Sequence, residues 1–148
     1  MKKIFMAALV FSTITSIAHG AEGKWTEGYG QGNLEYFIDF SGKRLLISCP
    51  TQEGSADVMS SVTIYTILNN KEERQFTINA GGTSFDGPFN ADSRASESNF
   101  HGLINALRKG DAVLKVGKQT YKLPISNAVK VLPAPGSKSF VCNTIFSN

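Results

Sequence analysis

Two adjoining segments decide the fold: residues 34–40 read LEYFIDF, and residues 44–49 read RLLISC. The apolar positions that alternate are Leu34, Tyr36, Ile38 and Phe40 in the first segment and Leu45, Ile47 and Cys49 in the second. A period of two is typical of a strand with one buried face. Because Ser41-Gly42 between them is a turn signal, the sequence predicts an antiparallel hairpin.

More strands are expected downstream of this hairpin. Residues 61–68 are rich in β-branched side chains, and residues 74–79 carry two alternating apolar residues, which makes a meander of about four strands. A second hairpin is expected around Gly117-Lys118, and a last strand over 138–146. Residues 21–33 are rich in glycine, and we expect an extended or irregular lead-in there.

One segment has a helical period instead. The apolar residues Phe100, Leu103, Ile104 and Leu107 recur at helical spacing. This stripe predicts a helix over about 97–109. Ser96 or Ser98 is expected to cap its start, and a short helical turn is expected over 128–132. The predicted fold is mainly β, either a β-sandwich or a strongly bent antiparallel sheet, with one packed α-helix.

The first twenty residues have the three parts of a bacterial secretory signal. Lys2 and Lys3 precede a short apolar run, and small residues follow at Ala18 and Gly20, where a signal peptidase would cut. The run is shorter than the ~20 residues that span a bilayer. We therefore predict a signal peptide over 1–20 and a single periplasmic or secreted β-rich domain over 21–148, with no membrane insertion after cleavage.

The charge balance argues against nucleic-acid binding. Removal of Lys2 and Lys3 leaves 13 basic and 12 acidic residues, so the net charge of the mature domain is about +1. The remaining basic residues form no dense cluster. Nucleic-acid binding requires a concentrated positive patch, so no nucleic-acid partner is expected.

Both cysteines, Cys49 and Cys142, lie in the predicted mature domain. Two cysteines in a small exported domain usually pair, and we predict a structural disulfide between them. A catalytic or redox pair is the alternative. It lacks a C-x-x-C spacing, and the mature domain has a single histidine, His101, that could activate a thiol.

The C-terminal third resembles a known family of exported proteins. Residues 100–110 read FHGLINALRKG, and residues 123–128, after the second hairpin, read LPISNA. This order of a helix, a strand pair and a leucine followed by small residues is similar to the invasion-associated locus B type. The resemblance implies a β-rich periplasmic fold and brings no catalytic motif with it.

The residues provide little for catalysis or for a cofactor. Glu97 and His101 share a helical face, but two ligands are too few for a metal site. His101 is interpreted as a residue at the edge of the core. A hydrolase built on scattered aspartates such as Asp39, Asp86 or Asp92 stays an alternative. We expect a protein that is not an enzyme and that uses no metal or other cofactor.

The segment 80–98 is the candidate binding site. It shows no clear period and is long for a connection, which is typical of functional loops. Phe85, Asp86, Phe89 and Arg94 combine aromatic side chains with charge, as interface hot spots do. The alternative is that the two phenylalanines fold back onto the core.

These observations favour a binding function over catalysis. The leading hypothesis is a periplasmic protein-binding module, of the inhibitor or immunity type, that blocks a cell-wall-degrading enzyme. The alternatives are a small-ligand, adhesion or envelope-stress module, and then a hydrolase. A protruding loop would favour the inhibitor, and a cavity the ligand-binding module. A homodimer is left open.

Overall fold

Strands dominate the computed structural model, which describes residues 22–30, 32–51, 59–124 and 126–142. The predicted signal peptide lies outside these residues. The strands are β1 (Trp25–Gly30), β2 (Asn33–Phe40), β3 (Lys43–Pro50), β4 (Ser61–Thr66), β5 (Lys71–Glu72), β6 (Phe76–Ala80), β7 (Thr83–Gly87), β8 (Phe89–Asn90), β9 (Ala112–Val116) and β10 (Gln119–Leu123). The helices are α1 (Arg94–Lys109) and α2 (Ala128–Val131).

The first sheet is an antiparallel meander in the order β1-β2-β3-β4-β5. The short strands β5 and β8 both pair with β4 on the edge opposite β3, β5 with its last two residues and β8 with its first two. The predicted hairpin is confirmed, and Ser41 and Gly42 both have positive φ in its turn, at 47° and 73°. Positive φ at both central residues matches the right-handed twist of the strands. Its inward residues Ile38, Leu45 and Ile47 are fully buried.

The second sheet is also antiparallel and has the order β10-β9-β6-β7. The predicted hairpin at Gly117 forms β9 and β10. The inward side chains of this sheet include Ile78, Phe85 and Leu114, which join the same buried cluster as the first sheet. The two sheets and the packed helix confirm the predicted fold class.

Helix α1 packs its apolar stripe into the core, as the sequence predicts. All four stripe residues are buried, including Phe100 and Leu103, which are fully inaccessible. The helix begins three residues earlier than predicted because Ser93, rather than Ser96 or Ser98, is the cap. Ser93 and Ser96 form a reciprocal capping box. The Ser93 hydroxyl accepts a hydrogen bond from the Ser96 backbone N–H, and the Ser96 hydroxyl accepts one from the Ser93 backbone N–H.

The predicted disulfide is present between Cys49 and Cys142, whose Cα atoms are 4.5 Å apart. Both residues are buried in the core cluster. The bond ties β3 to the chain that follows α2. Such a bond is typical of proteins in oxidising compartments.

The predicted extended or irregular lead-in is in part the strand β1, whose Trp25 is buried and whose backbone pairs with residues 33–38 of β2. The expectation at the other end of the domain is wrong. Residues 138–142 of the predicted last strand form turns and irregular structure instead, with Phe140 half-buried. Residues 143–146 of that prediction lie outside the described residues. Among the described residues, no helix is long and apolar enough to cross a membrane.

Candidate functional site

The predicted recognition loop at 80–98 is regular structure. It contains β7, β8 and the first turn of α1, and β7 pairs with β6 along all five of its residues. Glycines 81 and 82, both with positive φ, form the turn between those two strands. The prediction of a loop is therefore wrong, because pairing with β6 satisfies the backbone of this segment.

The two phenylalanines do not stand out from the surface. Phe85 occupies the inward position of β7, is 7% exposed, and faces Gly102 of α1. Phe89 is half-buried and packs against the core from β8. The structure therefore agrees with the alternative in which both rings fold back onto the core. Neither ring is available as the exposed anchor of a partner site.

The two charged residues of the predicted site lie at the surface. Asp86 is exposed on β7 and accepts a hydrogen bond of 2.7 Å from the Thr77 hydroxyl of β6. Arg94 is the exposed first residue of α1. Asp86 and both phenylalanines also line a small recess of about 190 Å³ beside the helix, and Arg94 is not part of its lining.

A larger recess lies where three strands of the second sheet end. It has a volume of about 630 Å³ and takes in the start of β6 and the ends of β7 and β9. Its lining consists of Gln75, Phe76, Thr77, Asp86, Gly87, Pro88, Lys115 and Gly117. Asp86 is the only residue of the sequence-predicted site in it. Apart from Phe76, which is an inward residue of β6, the other members occupy outward or strand-end positions, which the apolar period does not single out.

The turn between β4 and β5 carries an exposed apolar residue that sequence reasoning missed. Leu68 is 95% exposed at this hairpin tip, whereas the sequence placed it at the end of a strand. The other large apolar residues found exposed in the described part of the chain are Tyr29, Val129 and Val141, and each is less exposed than Leu68. Single exposed apolar residues are common, so the support beneath Leu68 matters more than its exposure.

That support is a set of hydrogen bonds and one ion pair at the base of the hairpin. The Ile67 backbone N–H donates to the Gly42 carbonyl at 2.9 Å, and the Glu73 N–H donates to the Ile64 carbonyl at 2.8 Å. The Glu73 carboxylate accepts from the Lys43 ammonium and the Thr66 hydroxyl. These bonds, chiefly that of Lys43, lower the pKa of Glu73, so the carboxylate is ionised at neutral pH.

A third surface depression lies between β1, α2 and the chain after α2. It has a volume of about 400 Å³ and is lined in part by Glu27, Tyr36, Arg108 and Lys130. Burial, and then the Glu27 carboxylate, raise the pKa of Tyr36 to about 12. Arg108 donates through Nη1 to the carbonyls of Val129 and Leu132, so it fastens α2 to α1.

The candidate catalytic residues are dispersed or engaged elsewhere. Asp39 forms two hydrogen bonds with the Arg44 guanidinium, at 2.6 and 2.8 Å. His101 packs its ring edge-on against Phe140, and its buried Nε2 has no hydrogen-bond partner among the described residues. Within the described ranges, no group of three or more His, Cys, Asp or Glu residues could hold a metal ion.

Comparisons with known proteins give a family but no activity. The sequence model of the family described as YfjT matches residues 23–132 of this chain. "Uncharacterized protein YfjT" of Escherichia coli (strain K12) is 40% identical over 58 residues, which are 36% of this chain and 36% of that protein. The aligned part thus spans about a third of that relative. No solved structure matches.

Proposed function

The chain belongs to the YfjT family, and we propose that it is a periplasmic protein-binding module of the inhibitor or immunity type. The proposed binding element is the hairpin tip at residues 67–70, with Leu68 as its anchor. The observation that carries the proposal is a large apolar side chain that is 95% exposed and held on a braced turn. This element replaces Phe85 and Phe89, whose rings are packed in the fold.

The bracing matters because a preformed loop loses little conformational freedom when it binds. Ordering a flexible side chain or loop costs about 0.5–1.5 kcal/mol per immobilised side chain. The Lys43–Glu73 ion pair and the Thr66 hydrogen bond hold both ends of the hairpin before any partner arrives. Asn70 has a positive φ of 52°, which asparagine tolerates better than most residues. A partner would therefore meet Leu68 already in place.

The shape of this element favours a concave partner. A single projecting leucine buries its surface best in an apolar pocket, and enzyme clefts are the usual concave apolar sites of proteins. The residues that follow, Asn69, Asn70 and Lys71, are exposed and polar, so they would form the rim around a central anchor. We propose a cell-wall-degrading enzyme as the partner because such enzymes work in the compartment to which the signal sequence directs this chain.

The test is capture of partners from a periplasmic extract by the immobilised mature domain, residues 21–148. We compare the wild type with Leu68→Ser, and we use Val129→Ser as a matched control because Val129 is another exposed apolar residue, at 60%. Both substitutions should change the free energy of unfolding by less than about 0.5 kcal/mol. Retained enzymes are then assayed on purified peptidoglycan.

The proposal requires a hydrolase that the wild type and Val129→Ser both retain and inhibit, and that Leu68→Ser neither retains nor inhibits. Equal inhibition by Leu68→Ser would show that the hairpin is not the binding element. Failure of the wild type to retain or inhibit any such enzyme would reject the inhibitor function itself.

A further inference from the structure

The 630 Å³ recess at the end of the second sheet contains polar groups in a fixed row across three strands. Thr77 is the register partner of Asp86 on one side and of Lys115 on the other. Cross-strand neighbours have Cβ atoms about 5 Å apart, so the three side chains lie side by side. The row is therefore set by the sheet itself rather than by a loop.

Several of these polar groups have no partner among the residues that the structure describes. Asp86 uses Oδ1 to accept from Thr77, and Oδ2 makes no hydrogen bond with any described residue. The Lys115 ammonium and the Gln75 amide likewise form no hydrogen bond or ion pair within the described ranges, although both line the recess. The recess thus offers a carboxylate oxygen, an ammonium and an amide to a ligand.

The rest of the lining is apolar, and its shape depends on a glycine. The Phe76 ring lies over Gly87, and a Cβ added at position 87 would come within 2.2 Å of that ring. Only glycine allows this contact. Pro88 is exposed beside it. One wall of the recess therefore presents the carbon surface of the exposed Pro88 next to the polar row, with the buried Phe76 ring behind it.

We propose that this recess binds a neutral saccharide. The charges on Asp86 and Lys115 cancel, so the two together give the recess no net charge. An anionic ligand would be repelled by the carboxylate, and a cationic ligand would be repelled by the ammonium. Hydroxyl groups suit this set because each one both donates and accepts a hydrogen bond. The C–H face of a sugar ring fits the carbon surface of Pro88. The volume of about 630 Å³ lies within the usual range of small-ligand sites.

The test is a titration of the isotope-labelled mature domain with maltotriose and, separately, with triacetylchitotriose, followed by amide chemical shifts. We expect at least one trisaccharide to bind, with the largest shifts at residues 75–77, 86–88 and 115–117. Asp86→Asn and Lys115→Met should each weaken binding about tenfold or more, because each removes a charged hydrogen-bonding partner.

Matched controls on exposed residues away from the recess are Asp111→Asn and Lys122→Met, which should bind as the wild type does. Thermal unfolding of every variant establishes that it is folded. If only one of the two recess variants is folded, that variant alone is sufficient for the test. Three results would each overturn the proposal: no binding of either sugar at millimolar concentration, an affinity in both recess variants equal to that of the wild type, or chemical-shift changes centred on other residues. Leu68→Ser should not change sugar affinity, so this proposal and the protein-binding function can fail independently.

Discussion

Truncation of Phe85 to alanine tests whether this ring belongs to the core or to a binding surface. The ring lies between β7 and α1, is 7% exposed, and faces Gly102, which has no side chain to fill a vacated space. Removal of a buried phenylalanine ring costs about 3–5 kcal/mol, because apolar burial is lost and a cavity remains. That cost is a large part of the 5–15 kcal/mol that stabilises a typical domain. For a domain of this size it corresponds to a fall in Tm of roughly 10–20 °C.

The measurement is urea unfolding of the mature domain with its disulfide intact, followed by far-UV circular dichroism. The midpoint should fall in Phe85→Ala while the m-value stays unchanged, since the substitution alters stability rather than the area exposed on unfolding. Phe89→Ala is the internal comparison. Because the Phe89 ring is half-buried, this variant should lose roughly half as much stability as Phe85→Ala. A loss below about 1 kcal/mol in Phe85→Ala would show that the ring is not in the core.

Four further outcomes are expected. Leu103→Ala, at a fully buried position of α1, should cost about 2–5 kcal/mol in the same urea experiment; a cost below about 1 kcal/mol would mean that the helix is peripheral. Non-reducing mass spectrometry should give a mass lowered by two hydrogens, and Cys142→Ser should cost roughly 4–5 kcal/mol, because the bond to Cys49 closes a separation of 93 residues. The contribution of Tyr36 to stability should be fully present below pH 10 and be lost as the pH rises through 12, because the folded state raises the pKa of Tyr36 from 10 to about 12; the Tyr36→Phe variant should lose less stability over that range. N-terminal sequencing of the exported protein should show cleavage after Gly20, and an intact N-terminus would contradict the signal peptide.

The parts of the fold that the sequence predicted are those whose buried face repeats at a fixed period. The segments at 34–40 and 44–49 alternate cleanly, and the structure buries their inward residues. Helix α1 has its four apolar residues on one stripe, and all four are buried. In these elements the local apolar pattern agrees with the tertiary packing, so the pattern alone is enough to identify the element.

The parts that the sequence left open or assigned wrongly are fixed by tertiary contacts, which are strand pairing for β1 and β7 and a disulfide with a ring contact for the last segment. Strand β7 has one buried side chain, Phe85, among polar residues and glycine, so no period marks it as a strand. Strand β1 is rich in glycine, and its assignment depends on its register with β2. At the other end, Phe140 and Cys142 alternate as in a strand, yet the disulfide and the ring contact with His101 fix that segment without sheet pairing. Tertiary contacts overrode local pattern in all three cases.

The candidate surfaces were missed for a related reason. The sequence includes Leu68 in the strand predicted over 61–68, but the strand ends at Thr66 and the turn carries Leu68 beyond the sheet. Its support comes from Lys43, thirty residues before Glu73 in the chain. The sequence gives no indication of that contact, because only the β3–β4–β5 register brings the two side chains together.

The recess shows how a scaffold of this kind separates folding from recognition. Its polar row of Asp86, Thr77 and Lys115 stands on outward positions of the strands, whereas the neighbouring inward residues Ile78 and Leu114 are fully buried. A change at an outward position removes a hydrogen-bonding group and leaves the core packing intact, so its cost in stability is small. Substitutions in this row therefore test the proposed binding without disturbing the strands that carry it. Gly87 is the exception, because its missing side chain serves both the Phe76 packing and the shape of the recess.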